Sequence, residues 1–185
     1  MTGRRIALGA AVVVLASIGA AQAAGAGERP AAVARSAAAP RCGTSKLRIT
    51  AVLASPGLSH HGYVLRFQNR GSTCTLSGYP GVDGVSAQGK RLVSARRTKS
   101  GYLGGLKPGR GIPHVQLAHG KTASALLEYL DGPVPGLFCP GVAALKVTPP
   151  NAIASVRLSP NGLSSERLCH LQIHPVVAGG TGQGT

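Results

Sequence analysis

The chain predicts an all-β fold, an antiparallel immunoglobulin-like β-sandwich held by two disulfides, and three observations predict it. Apolar and polar residues alternate with period two in short segments, and turn residues interrupt those segments at strand-scale intervals. No stretch beyond the N-terminal leader carries a helical apolar stripe, and the same region holds four cysteines. Half-buried antiparallel strands must stack as two sheets or close into a barrel to hide their apolar faces. A sandwich of about seven to nine strands is the expectation. The chain has no tryptophan, so the buried Trp of antibody domains is missing.

The elements follow in order. Arg4 and Arg5, the apolar run Ile6–Ile18 and the small-x-small Ala21-Gln22-Ala23 read as a cleavable signal peptide over residues 1–23. The run is shorter than the roughly 20 residues a bilayer-spanning helix needs, so cleavage is favoured over a retained anchor. Residues 24–40 are Ala-rich with Pro30 and Pro40 and form a flexible spacer. Residues 41–177 make one domain with its own core. Within it Leu47-Arg48-Ile49-Thr50 alternates, and Tyr63, Leu65 and Phe67 share a face opposite Arg66 and Gln68. Ala125, Leu127 and Tyr129 mark a third strand with Glu128 pointing away, and Leu145–Thr148 and Val156–Leu158 give two more. Cys169, Leu171 and Ile173 form the inner face of a sixth, with His170, Gln172 and His174 outside. Shorter candidates lie at Val82–Ala87 and Arg91–Ser94. The glycine-rich end, residues 178–185, reads as a disordered tail.

Four cysteines in an exported domain imply two disulfides, with three possible pairings. None forms a Cys-x-x-Cys unit, which speaks against a redox motif or a zinc knuckle. Their separations favour Cys42 with Cys74 and Cys139 with Cys169. Each bridge would close a loop of about thirty residues, worth roughly 3–4 kcal/mol. That matters where the aromatic core is limited to four tyrosines and two phenylalanines. The stretch CTLSGYPGV, Cys74–Val82, then reads as a structural corner. Cys74 pins a strand end, Leu76 enters the core, Tyr79 caps it, and Pro80-Gly81 takes the centre of a type II turn.

The order Cys42, then YVLRFQNRGSTCTLSGYPGV from Tyr63 to Val82, resembles the secreted actinobacterial family catalogued as domain of unknown function 4232 (DUF4232). The segment Leu117–Ala123, Cys139, the LKVTPPNA run from Leu145 to Ala152, and Cys169 extend the resemblance over most of residues 42–177. It implies an exported, disulfide-bonded, immunoglobulin-like β domain. It implies no activity and supplies no catalytic residues.

Charge carries the functional expectation. Against 20 Lys and Arg the chain has 5 acidic residues, and loss of the leader would remove only Arg4 and Arg5. Such a protein is drawn to anionic surfaces. Lys90, Arg91, Arg96, Arg97, Lys99, Lys107 and Arg110 form an acid-free cluster, and the glycines among them suggest a mobile loop able to follow an anionic wall polymer or lipid surface. Nucleic acid is disfavoured because Tyr102 alone offers a stacking platform there.

Enzymatic chemistry finds little support. The domain's acids are Asp83, Glu128, Asp131 and Glu166, and Asp131-Gly132-Pro133 reads as a turn, so paired-carboxylate hydrolysis is disfavoured. Gly-x-Ser-x-Gly and phosphate-binding glycine loops are absent. The histidines at 60, 61, 114, 119, 170 and 174 read as exposed and solvated. His170 and His174 on one strand face would stand about 13 Å apart, too far to share a metal. The expectation is therefore a non-enzymatic envelope module, secreted or surface-associated, with no cofactor. The alternatives are a metal-handling protein or enzyme using surface histidines, or a protein–protein adaptor.

Overall fold

The computed structural model describes residues 38–132, 134–163 and 167–184. The signal peptide, nearly all of the spacer, and Glu166 lie outside the described residues. Twelve strands follow in order among the described residues. They are β1 (Leu47–Leu53), β2 (His60–Asn69), β3 (Cys74–Ser77), β4 (Gly81–Val85), β5 (Arg91–Ser94) and β6 (Arg96–Arg97), then β7 (His114–Leu117), β8 (Thr122–Leu130), β9 (Ala144–Thr148), β10 (Val156–Leu158), β11 (Cys169–Ile173) and β12 (Val177–Ala178). The fold is all-β with antiparallel sheets. A six-stranded sheet runs β1-β2-β8-β11-β6 with β12 also on β8, a four-stranded sheet runs β10-β9-β4-β5, and β3 pairs with β7. Among the described strands the one parallel pair is β11 with β6, and Arg41 adds an isolated parallel bridge to Thr75.

The period-two reading accounts for the register. Ile49 stands opposite Phe67 and Ala51 opposite Leu65 between β1 and β2. Across β2 and β8, Phe67 faces Ala123 and Leu65 faces Ala125, so small residues leave room beside large ones. These side chains join Leu127, Tyr129, Leu171 and Ile173, and Val82, Leu145 and Val147 from the four-stranded sheet, in one buried cluster. Tyr63 stacks on Tyr129 at 6.1 Å between ring centroids.

The disulfides join Cys42 to Cys74 and Cys139 to Cys169, with Cα–Cα separations of 5.0 and 4.4 Å. The corner differs from expectation in detail. Cys74–Ser77 is a strand rather than a strand end, because it has a partner in β7, Leu76 lying opposite Val115. The left-handed residue of the corner is Gly78, with φ of 100°, while Gly81 opens β4. Pro80-Gly81 therefore does not form the centre of a type II turn, which needs positive φ at its second central residue.

The C-terminal tail is also different from the expected disordered segment. Val177 and Ala178 pair with Ser124 and Ala123 on β8, and Ser124 Oγ–H donates to Gly179 O at 2.8 Å. Gly182 N–H donates to Ser124 Oγ at 2.8 Å, and Gln183 Nε2–H donates to Leu103 O at 2.7 Å. The composition that suggested disorder is what permits this contact. A Cβ on Gly182 would stand 3.1 Å from Leu126 Cβ, and φ there is 74°.

Candidate functional site

The outer face of β8 is where the fold collects its polar chemistry. Alternation turns Ser124, Leu126 and Glu128 away from the main core, yet all three are buried. The segment Thr98–Leu106, between β6 and β7, folds back over that face. Leu106 N–H donates to Lys99 O and Gly101 N–H to Gly104 O, both at 2.8 Å, which closes the segment into a tight turn. At its tip Tyr102 N–H donates to Glu128 Oε1 at 2.9 Å and Leu103 N–H to Glu128 Oε2 at 3.1 Å. Gly62 stands directly opposite Glu128 on β2, and a Cβ there would meet Leu127 O and the Leu103 side chain. A Cβ on Gly101 would run into the Glu128 carboxylate itself. The glycines read as flexibility thus serve close approach, and the segment is anchored on a buried carboxylate.

Two histidines complete the cluster. His60 Nδ1 lies 2.6 Å from Glu128 Oε1, and its ring stacks on Tyr102 with centroids 4.5 Å apart. His174 Nε2 lies 3.3 Å from Glu128 Oε2, and its Nδ1 is 3.1 Å from both the hydroxyl and the carbonyl of Thr98. Burial works to raise the Glu128 pKa, but the Leu103, His174, Tyr102 and His60 hydrogen bonds outweigh it and hold the carboxyl below its usual range. An ionised carboxylate only accepts, so both ring nitrogens facing it donate.

This overturns the expectation of exposed, solvated histidines at His174, which is fully buried. His170 and His174 do not share a strand face. A bulge lies between Cys169 and Gln172, His170 has φ of 51°, and β11 ends at Ile173 before His174. His170 is exposed and its Nε2 lies 3.2 Å from Arg96 Nη2. His61 sits near the Tyr129 ring, His114 is exposed on β7, and exposed His119 is bonded to Gly71 O through Nδ1. Among the described residues no group of three or more His, Cys, Asp or Glu side chains is arranged to hold a metal ion.

The acids remain dispersed. Asp83 accepts from Ser94 Oγ–H at 2.6 Å, and exposed Asp131 accepts from Arg167 N–H at 3.4 Å. Sequence reasoning placed Glu128 on the outer face of β8 but did not foresee its burial there. It missed the cluster because His60, Thr98, Tyr102 and His174 are remote in sequence and nothing local marks their convergence.

The seven expected cations are all exposed. Lys90 and Arg91 stand at the β4–β5 hairpin, whose turn is closed by Gly89 N–H to Ser86 O. Arg96 and Arg97 follow on β6 after the chain crosses from one sheet to the other at Ala95. β5 and β6 are the outermost strands of their sheets. Lys99 and Lys107 flank the Glu128-anchored turn, and Arg110 N–H donates to Lys107 O. The ion pairs found among the described residues involve Glu128 and histidine, so none of the seven is matched to a carboxylate there. Among the described residues no helix is long and apolar enough to cross a membrane.

The family described as "Domain of unknown function (DUF4232)" matches residues 42–177, and the chain belongs to it. No curated protein and no solved structure matches the chain.

Proposed function

We propose that this DUF4232 protein is an exported, non-enzymatic module of the cell envelope with an immunoglobulin-like sandwich arrangement, engaging an anionic wall polymer or lipid surface through its cationic strand edge. The observation that carries the reading is the run of seven exposed cations, Lys90 to Arg110, without a carboxylate partner among the described residues. Unneutralised cations exposed along two sheet edges and the segment that follows attract polyanions and release their counterions on contact. The two disulfides suit an oxidising compartment.

The test is binding of the purified oxidised protein to isolated cell walls, anionic liposomes and DNA from low to high salt. A variant with the seven cations neutralised serves as comparison. Selective wall or liposome binding that weakens with salt and disappears in the variant supports the reading. Equal binding by the variant refutes it.

One observation favours the alternative of a metal-handling protein or enzyme. A carboxylate that fixes Nδ1 of His60 leaves Nε2 of a partly exposed ring for a metal or a proton. Stoichiometric metal after purification, lost in His60→Ala, would support that alternative.

A further inference from the structure

A second cationic surface lies away from the β5–β6 edge, on the outward face of β1 and β2. Arg48 stands opposite Gln68, and Thr50 stands opposite Arg66, so the two arginines alternate diagonally across the strand pair. Thr122 of β8 lies opposite Gln68 on the other side. These five residues line a shallow cleft of about 250 Å³. At the same end Arg70 N–H donates to Lys46 O, which brings two further exposed cations side by side.

None of the described acids serves this face. Asp83 is on β4, Asp131 follows the far end of β8, and Glu128 is buried under the Thr98–Leu106 turn. Like charges on adjacent strands destabilise a sheet. Here Arg48 and Arg66 on the strands, with Lys46 and Arg70 just beyond them, share one end without a compensating carboxylate among the described residues. Arg66 is also held in place, since its Nε–H donates to Gly180 O at 2.9 Å and its terminal nitrogens are left for a partner.

We infer that the cleft between Arg48 and Arg66 binds an oxyanion group carried on an acidic glycan. The guanidinium groups supply charge and paired donors for a sulfate, phosphate or carboxylate. Thr50, Thr122 and Gln68 Oε1, the Gln68 Nε2–H donating to Gly120 O, supply hydrogen-bonding groups of the kind that meet a polyol. A nucleic acid lacks a stacking surface here, because no aromatic residue lines the cleft. A lipid surface lacks an apolar wedge, because the exposed large hydrophobics, such as Leu58, Leu137 and Phe138, are not among the lining residues.

The test is a ¹H–¹⁵N titration of the whole oxidised protein with a heparin-derived octasaccharide, beside neutral dextran and phosphatidylglycerol vesicles. The expected result is saturable shifts at the amides of residues 48–50, 66–68 and 122 with the octasaccharide and none there with dextran. Arg48→Gln, which leaves the Arg66–Gly180 bond in place, should weaken this site about 10-fold by removing a charge-assisted contact. An Arg91→Gln/Arg97→Gln variant should leave it unchanged, which separates this site from the β5–β6 edge. Shifts confined to residues 90–110, equal binding of dextran, vesicle binding through the same amides, or an Arg48→Gln protein that binds as well as the parent would overturn the assignment.

Discussion

Replacing Glu128 by glutamine tests the account of the buried cluster most directly. The carboxylate accepts from the Tyr102 and Leu103 amides and from the His60 and His174 rings, with no exposed surface of its own. Glutamine keeps one acceptor oxygen and turns a donor toward the other pair. One buried backbone N–H then loses its acceptor and the remaining bonds lose their charge assistance, a cost of about 2–4 kcal/mol. For a domain of this size that is roughly 6–15 °C in Tm. The pH dependence has a definite sign. The folded Glu128 pKa is lowered from 4.5, so its stabilisation is present above the unfolded value and is lost as pH falls through the folded one. The Tm gap between parent and Glu128→Gln should be full near neutrality and should close in acid. Thermal melts by circular dichroism from pH 7 down to 3, with amide exchange at Tyr102 and Leu103, check this. A variant that melts within about 2 °C of the parent, with a gap independent of pH and unchanged exchange, would refute the reasoning.

Three other perturbations follow from the same structure. Gly101→Ala puts a methyl group into the Glu128 carboxylate and should destabilise by about 1–3 kcal/mol through displacement of the turn, read in urea unfolding. Truncation after Val177 uncovers Leu126 and removes both Gly partners of Ser124, so Tm should fall and the β8 amides should exchange faster, whereas a disordered tail would change neither. The paired Cys139→Ser/Cys169→Ser substitution opens a loop of sequence separation 30 and should cost about 3 kcal/mol, seen as a lower urea midpoint than the parent under oxidising conditions.

Much of the fold was legible because strand parity is a local property. Ile49, Leu65, Phe67, Leu127, Leu171 and Ile173 announce their inward face by spacing alone, and all lie in the buried cluster. Cysteine separation favoured the observed bridges, since each joins cysteines about thirty residues apart. The strands β3 and β7 alternate over only four residues and β6 and β12 have two residues each, so all four went unread, and each exists through its partner.

The candidate sites divide along the same line. The cations from Lys90 to Arg110 fall in one stretch of sequence and could be read directly, whereas Arg48 and Arg66 meet only because β1 and β2 pair in that register. Alternation determined that Glu128 leaves the core face of β8. What it meets there was decided by the Thr98–Leu106 turn and the glycine-rich tail, which arrive from distant parts of the chain. A second layer over a sheet depends on backbone approach that glycine permits and no spacing encodes. So an outward carboxylate became a buried one, and a histidine one residue past a strand became its partner.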